Sequence, residues 1–142
     1  MAIRLPEELV VAEQEKTRWA EKCNAAMLRE MDCRDELRAC DRRMQDITDV
    51  LERRRFRHHI AIENGYFDLA LMWRQLIKEA EEMLEFEREQ YSVVDEMRVN
   101  AHGAARLAAS EIDEWHSAEL LIKSRIKDGW AIEAHAQGAA YG

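Results

Sequence analysis

Apolar residues recur every seven positions along the first half of the chain. One row reads Leu5, Ala12, Trp19, Ala26, Cys33, Cys40 and Ile47; its companion, offset by four, reads Leu9, Lys16, Cys23, Glu30, Leu37, Met44 and Leu51. Twelve of these 14 positions are apolar, and the repeat is sustained well past the three or four heptads that argue for a coiled coil. The pattern fails at Arg54 and His58, which predicts a seam that stops short of residue 64.

In the second half the spacing resumes through Leu69, Trp73, Leu76, Ala80 and Met83, passes Glu87 and Gln90, and returns with Val94, Met97, Ala101, Ala104 and Ala108. Beyond Ala108 the frame shifts by one residue to Ile112, Trp115, Ile122 and Ile126. Such a shift predicts a stutter that locally unwinds a coiled coil. Asn100 and Gly103 stand just before it, so a kink or break is expected near Gly103.

Asn64-Gly65 is the one strong break signal, because glycine after a helical run takes the left-handed cap. Pro6, Glu7 and Glu8 suit the start of the first helix. The fold expected is all-α: a long antiparallel two-helix coiled-coil hairpin with arms at 5–63 and 66–131, a flexible tail at 132–142, and residues 1–142 forming one elongated unit. A three- or four-helix bundle is the alternative. In the hairpin, residue i lies near residue 129−i, which would set Arg38, Arg42 and Arg43 against Glu85, Glu87 and Glu89, and Phe56 against Trp73. Trp19, Trp73 and Trp115 belong to the seam on this reading, and Trp130 would pack on Leu5 or Leu9.

Composition supports this picture. Among 142 residues there are 5 Gly and 1 Pro, too few for a turn-rich β fold. The net charge of −8 gives no general attraction to nucleic acid or anionic lipid, so any such contact needs a local patch. Cys23, Cys33 and Cys40 are odd in number, lack a C-x-x-C spacing and fall on seam positions, which marks them as core fillers. No apolar stretch is long enough to span a bilayer and the N-terminus does not resemble a signal peptide, so the expected location is the cytoplasm or the inside of a virion.

The segment Arg53, Arg54, Arg55, Phe56, Arg57 concentrates a charge of +4 next to the turn, with Tyr66 and Phe67 following. Arginine and aromatic residues are enriched in binding hot spots, so these seven form the candidate partner-binding tip. Nucleic acid is expected only through the basic cluster 53–59, and self-association through the seam is a further mode of contact. His59 with Glu63 and His116 with Glu119 have spacings that can hold a metal on a helix, but no Glu-x-x-His motif is present. No catalytic residue, metal or cofactor is expected.

The run from Glu79 to Glu96 contains Glu81-Glu82-x-x-Glu85, with Glu111-x-x-Glu114 further on. That pattern is similar to the magnesium-binding motif of the MazG-like all-α nucleotide pyrophosphohydrolases. The resemblance implies Glu82, Glu85, Glu111 and Glu114 as ligands presented by two helices, although the last position in that family is Asp. The leading expectation is instead a non-enzymatic structural or adaptor protein working by protein–protein contacts, such as a phage virion or assembly component. The hairpin also resembles, in architecture alone, the stalk proteins of type III and flagellar export. A small inhibitor or regulator of a defence or nucleic-acid-handling complex is the remaining alternative.

Overall fold

The helix pair is joined by a turn that the backbone geometry explains. Helix α1 spans Leu5–Glu63 and helix α2 spans Phe67–Tyr141. Between them Gly65 adopts φ 74°. The Tyr66 amide donates to the Ala61 carbonyl at 2.9 Å and the Gly65 amide to the Ile62 carbonyl at 3.1 Å. This is a Schellman cap, which satisfies carbonyls that would otherwise be orphaned at the end of α1. Asn64 adds a side-chain bond from Nδ2 to the Ile60 carbonyl at 2.8 Å. The Tyr66 carbonyl then accepts the first bond of α2, from the Ala70 amide at 2.9 Å.

The computed structural model describes the backbone of residues 5–141 and the side chains of residues 6–129. It is an all-α two-helix hairpin. The expected packing of Trp130 on Leu5 lies outside the described side chains. α2 takes in residues 132–141, where the sequence suggested a flexible tail; alanine, abundant there, is the strongest helix former. Among the described residues no helix is long and apolar enough to cross a membrane.

The chain divides into two compact units. One comprises residues 29–100 and contains the turn. Its core gathers Leu51, Ala80 and Leu84, flanked by half-buried Met44, Ile47 and Ile77. Its two helical segments run antiparallel: Arg43 meets Glu87, and Arg54 meets Leu76. Both pairs of numbers sum to 130, one more than the expected 129. Arg38 instead pairs with Asp35 in its own helix, and Glu85 with Arg88. The ring of Trp73 is covered by Arg57, 5.2 Å from its centroid, whereas Phe56 is exposed.

The other unit combines residues 1–28 with 101–142. Its core is built from small side chains, Ala12 and Ala26 on α1 and Ala101, Ala105 and Ala108 on α2. Cys23 Sγ lies 3.7 Å from the Ala105 carbonyl oxygen and Lys16 Nζ 2.7 Å from Glu119 Oε2, so the two helical segments run antiparallel here too.

Along α1 the expected seam is present, and it does not stop where the sequence suggested. Arg54 and His58 hold the next two seam positions, half-buried, and buried Ala61 ends the row. The arginine is tolerated because its Nη1 donates to the Leu76 carbonyl at 2.6 Å, a charge-assisted bond that satisfies the group as it leaves water.

Along α2 the expected frame needs correction. Burial follows Ala70, Trp73, Ile77, Ala80, Leu84, Glu87, Tyr91, Val94 and Arg98 in the first unit, with steps alternating between three and four residues. The same alternation continues in the second unit through Ala101, Ala105, Ala108, Ile112, Trp115, Glu119, Ile122 and Ile126. No stutter follows Ala108, and α2 is unbroken through Gly103. Leu69, Met83, Met97 and Ala104, assigned to the seam from their apolarity, are exposed. Met83 is 56% accessible where its neighbour Leu84 is 8%. Before Ala108 the seam is hidden because its own positions carry Ala70, Tyr91 and Arg98, while the row beside it carries Leu and Met.

Two glycine substitutions separate cap from helix interior. A Cβ at Gly65 would meet nothing within 4 Å, so Gly65→Ala suffers only the left-handed backbone, a loss of about 1–2 kcal/mol in urea unfolding. A Cβ at Gly103 would also meet nothing within 4 Å, in a helical conformation, so Gly103→Ala should gain about 1 kcal/mol in the same measurement.

Candidate functional site

The cap described above places the candidate tip. Tyr66 and Phe67 sit on and just after the left-handed turn, and both side chains point away from the seam, 61% and 70% accessible. Gly65, Tyr66, Phe67, Asp68 and Leu69 line an open depression of about 730 Å³ at this end. Phe56 is 64% accessible but is not part of that lining.

The four arginines do not form a free basic patch. Arg54 is bound to the Leu76 carbonyl, Arg55 lies 3.4 Å from Glu81, and Arg57 covers Trp73. Only Arg53 of the four has no polar or ring partner among the described residues. His58 occupies the seam, and His59 is 3.0 Å from Glu63. The cluster therefore ties the end of α1 to α2. What the tip exposes is aromatic surface, with three of its four cations engaged.

A second cluster joins Lys16 to Glu119, which the sequence pairs only with His116. Glu119 is buried in the α2 seam, with Oε2 2.7 Å from Lys16 Nζ on α1 and Oε1 2.8 Å from Lys123 Nζ. His116 Nδ1 is 3.2 Å from Lys16 Nζ and 3.9 Å from the Glu119 carboxylate. The hydrogen bonds from Lys123 and then Lys16 hold the Glu119 carboxyl well below the usual range, at about 2, and Glu119 raises Lys123 in return. A carboxylate so firmly ionised is a poor proton donor or acceptor near neutrality. It acts as a polar lock: Lys16, one of the two polar members of the α1 row, faces a buried carboxylate across the seam. Lys16 in a seam is the available signal; the expected register, residue i near 129−i, sets it near residue 113, whereas it meets Glu119.

The cysteines are free thiols: Cys33 and Cys40 are buried and Cys23 half-buried. Burial raises the Cys40 thiol pKa above its ordinary value, partly countered by Arg43, whose Nη2 lies 3.0 Å from the sulfur. Arg43 is itself held protonated by Glu36 and Glu87. The four acidic residues of the pyrophosphohydrolase pattern, Glu82, Glu85, Glu111 and Glu114, all lie on the single helix α2, whereas that pattern draws them from two helices. Among the described residues no group of three or more His, Cys, Asp or Glu side chains could hold a metal ion.

Two measurements follow. Because Glu119 is depressed in the folded state, its contribution to stability is complete above its ordinary value of 4.5 and is lost as pH falls from there toward 2. Glu119→Gln should flatten that part of the acid-unfolding curve while leaving the region from pH 5 to 8 parallel to the parent. Thiol labelling of the native protein with an aromatic disulfide should modify Cys23 first and Cys40 last, and all three at one rate in denaturant.

Comparison with models of known protein families, with curated proteins and with solved structures finds no match to this chain.

Proposed function

We propose that this chain is a non-enzymatic helical adaptor, a structural component that works by protein–protein contact within a larger assembly of the phage-virion kind. What supports the reading above all is the amount of large apolar side chain left in water by two otherwise well-paired helices. Phe56, Tyr66, Phe67, Met72, Met83 and Phe86 are all at least half accessible. Exposed aromatic and methionine surface of this extent marks interaction sites more often than solvent-facing surface. The tip fits the role of a contact point, because Tyr66 and Phe67 project from a hydrogen-bonded cap and lose little freedom on binding. The depressions along the helices are open, and an open seam does not shield a reaction from water.

The proposal is tested by affinity purification of the tagged chain from its native source, with the bound proteins quantified. Tyr66→Ser with Phe67→Ser should reduce the recovered partner by about tenfold or more, as expected for hot-spot aromatics, with far-ultraviolet circular dichroism unchanged. Arg53→Glu should have a smaller effect, since it is one rim charge. Full retention by the double variant would remove the tip from the contact. Magnesium-dependent hydrolysis of nucleoside triphosphates that disappears in Glu82→Gln would overturn the non-enzymatic reading.

A further inference from the structure

α2 carries a second heptad row beside its seam. It runs through Leu69, Met72, Leu76, Glu79, Met83 and Phe86, then Gln90, Val93 and Met97, with the same alternating steps of three and four. Leu76 is half-buried and the other apolar members are exposed. The row lies within the unit of residues 29–100, where Ile47, Glu79, Glu82, Met83, Phe86 and Glu87 line an open groove of about 560 Å³. A heptad row is the pattern one helix shows to another, and this one has no helix on it among the described residues.

Charge identifies what would fit. On the far side of α2 from this row, carboxylates are balanced by cations: Glu81 by Arg55, Glu85 by Arg88 and Asp95 by Arg98. On the near side the flanking residues are Glu82, Glu89 and Glu96, one heptad apart, with Glu79 in the row itself. None of these four has an ion-pair partner among the described residues. A second copy docked α2 on α2 would set two such acidic rows side by side, and like charges flanking a helical interface oppose pairing. The tip of a second copy brings little compensating charge, since three of its four arginines are engaged within their own chain.

We propose that this groove binds an amphipathic helix of a different protein, about four heptads long, with an apolar stripe flanked by lysine or arginine. Resting on the adaptor reading, the inference names the surface and the chemistry of one partner. The apolar stripe supplies affinity through Met72, Met83, Phe86, Val93 and Met97, and the basic flank supplies selectivity through Glu82, Glu89 and Glu96.

The probes are two synthetic helices of about 28 residues with the same leucine heptads, one flanked by lysine and the other by glutamate, titrated into the full chain by calorimetry. The lysine peptide should bind at least about tenfold more tightly at low salt, with the gap closing as ionic strength rises. Met83→Asp with Phe86→Asp should abolish binding. Glu82→Lys, Glu89→Lys and Glu96→Lys together should reverse the preference, a result that a merely unfolded variant would not give. Equal binding of both peptides, or of neither, overturns the proposal. A dimer in light scattering that Phe86→Asp returns to monomer also overturns it, assigning the groove to a second copy. Failure here leaves the adaptor reading to its own test at Tyr66 and Phe67.

Discussion

A helix keeps a stripe facing one partner only when the stripe recurs at alternating steps of three and four residues, and α2 meets that condition twice over adjacent faces. One stripe, from Ala70 through Leu84 to Arg98 in the turn-containing unit, is covered by α1. The other, from Leu69 through Met83 to Met97, is not. Which stripe α1 covers decides the rest: the side chains that form the core, the charges that pair, and the apolar surface left for other molecules.

The choice is not made by hydrophobicity alone. The covered stripe includes Ala70, Ala80, Tyr91 and Arg98, while the open one includes Met72, Met83, Phe86 and Met97. Small residues allow close helix approach, and polar contacts restrict the pairing to one register. Arg54 reaches the Leu76 carbonyl, Arg43 bridges Glu36 and Glu87, and Glu119 binds Lys16 across the seam of the other unit. Among the described residues no buried side-chain nitrogen or oxygen lacks a hydrogen-bond partner. A shifted register would break these contacts and leave their groups unpaired, which costs more than the individual bonds contribute.

The α1 seam was legible in the sequence because its members from Leu5 to Leu51 are almost all apolar. The turn was legible for a different reason: Asn64-Gly65 is the chemistry a left-handed cap requires, and Gly65 has that conformation. The expected α2 frame is off by one residue in every second position before Ala108, since Leu69 and Met97 look more core-like than their neighbours Ala70 and Arg98, and Met83 is as apolar as Leu84. The stutter expected after Ala108 was the join between the open stripe and the covered one. The basic tip was visible as composition, but its charge could not be assigned from composition. Arg54, Arg55 and Arg57 are committed to α2, and only the fold shows which atoms they meet.

The most direct test compares two neighbouring positions that the correct and the displaced frames assign oppositely. In a chain whose native cysteines are replaced by alanine, single cysteines at Met83→Cys and Leu84→Cys would be labelled with a small maleimide under native conditions. The account predicts rapid labelling at 83, close to the denatured rate, and strong protection at 84, in line with accessibilities of 56% and 8% for the native side chains. Protection at 83 with rapid labelling at 84 would place α1 on the other stripe and contradict it.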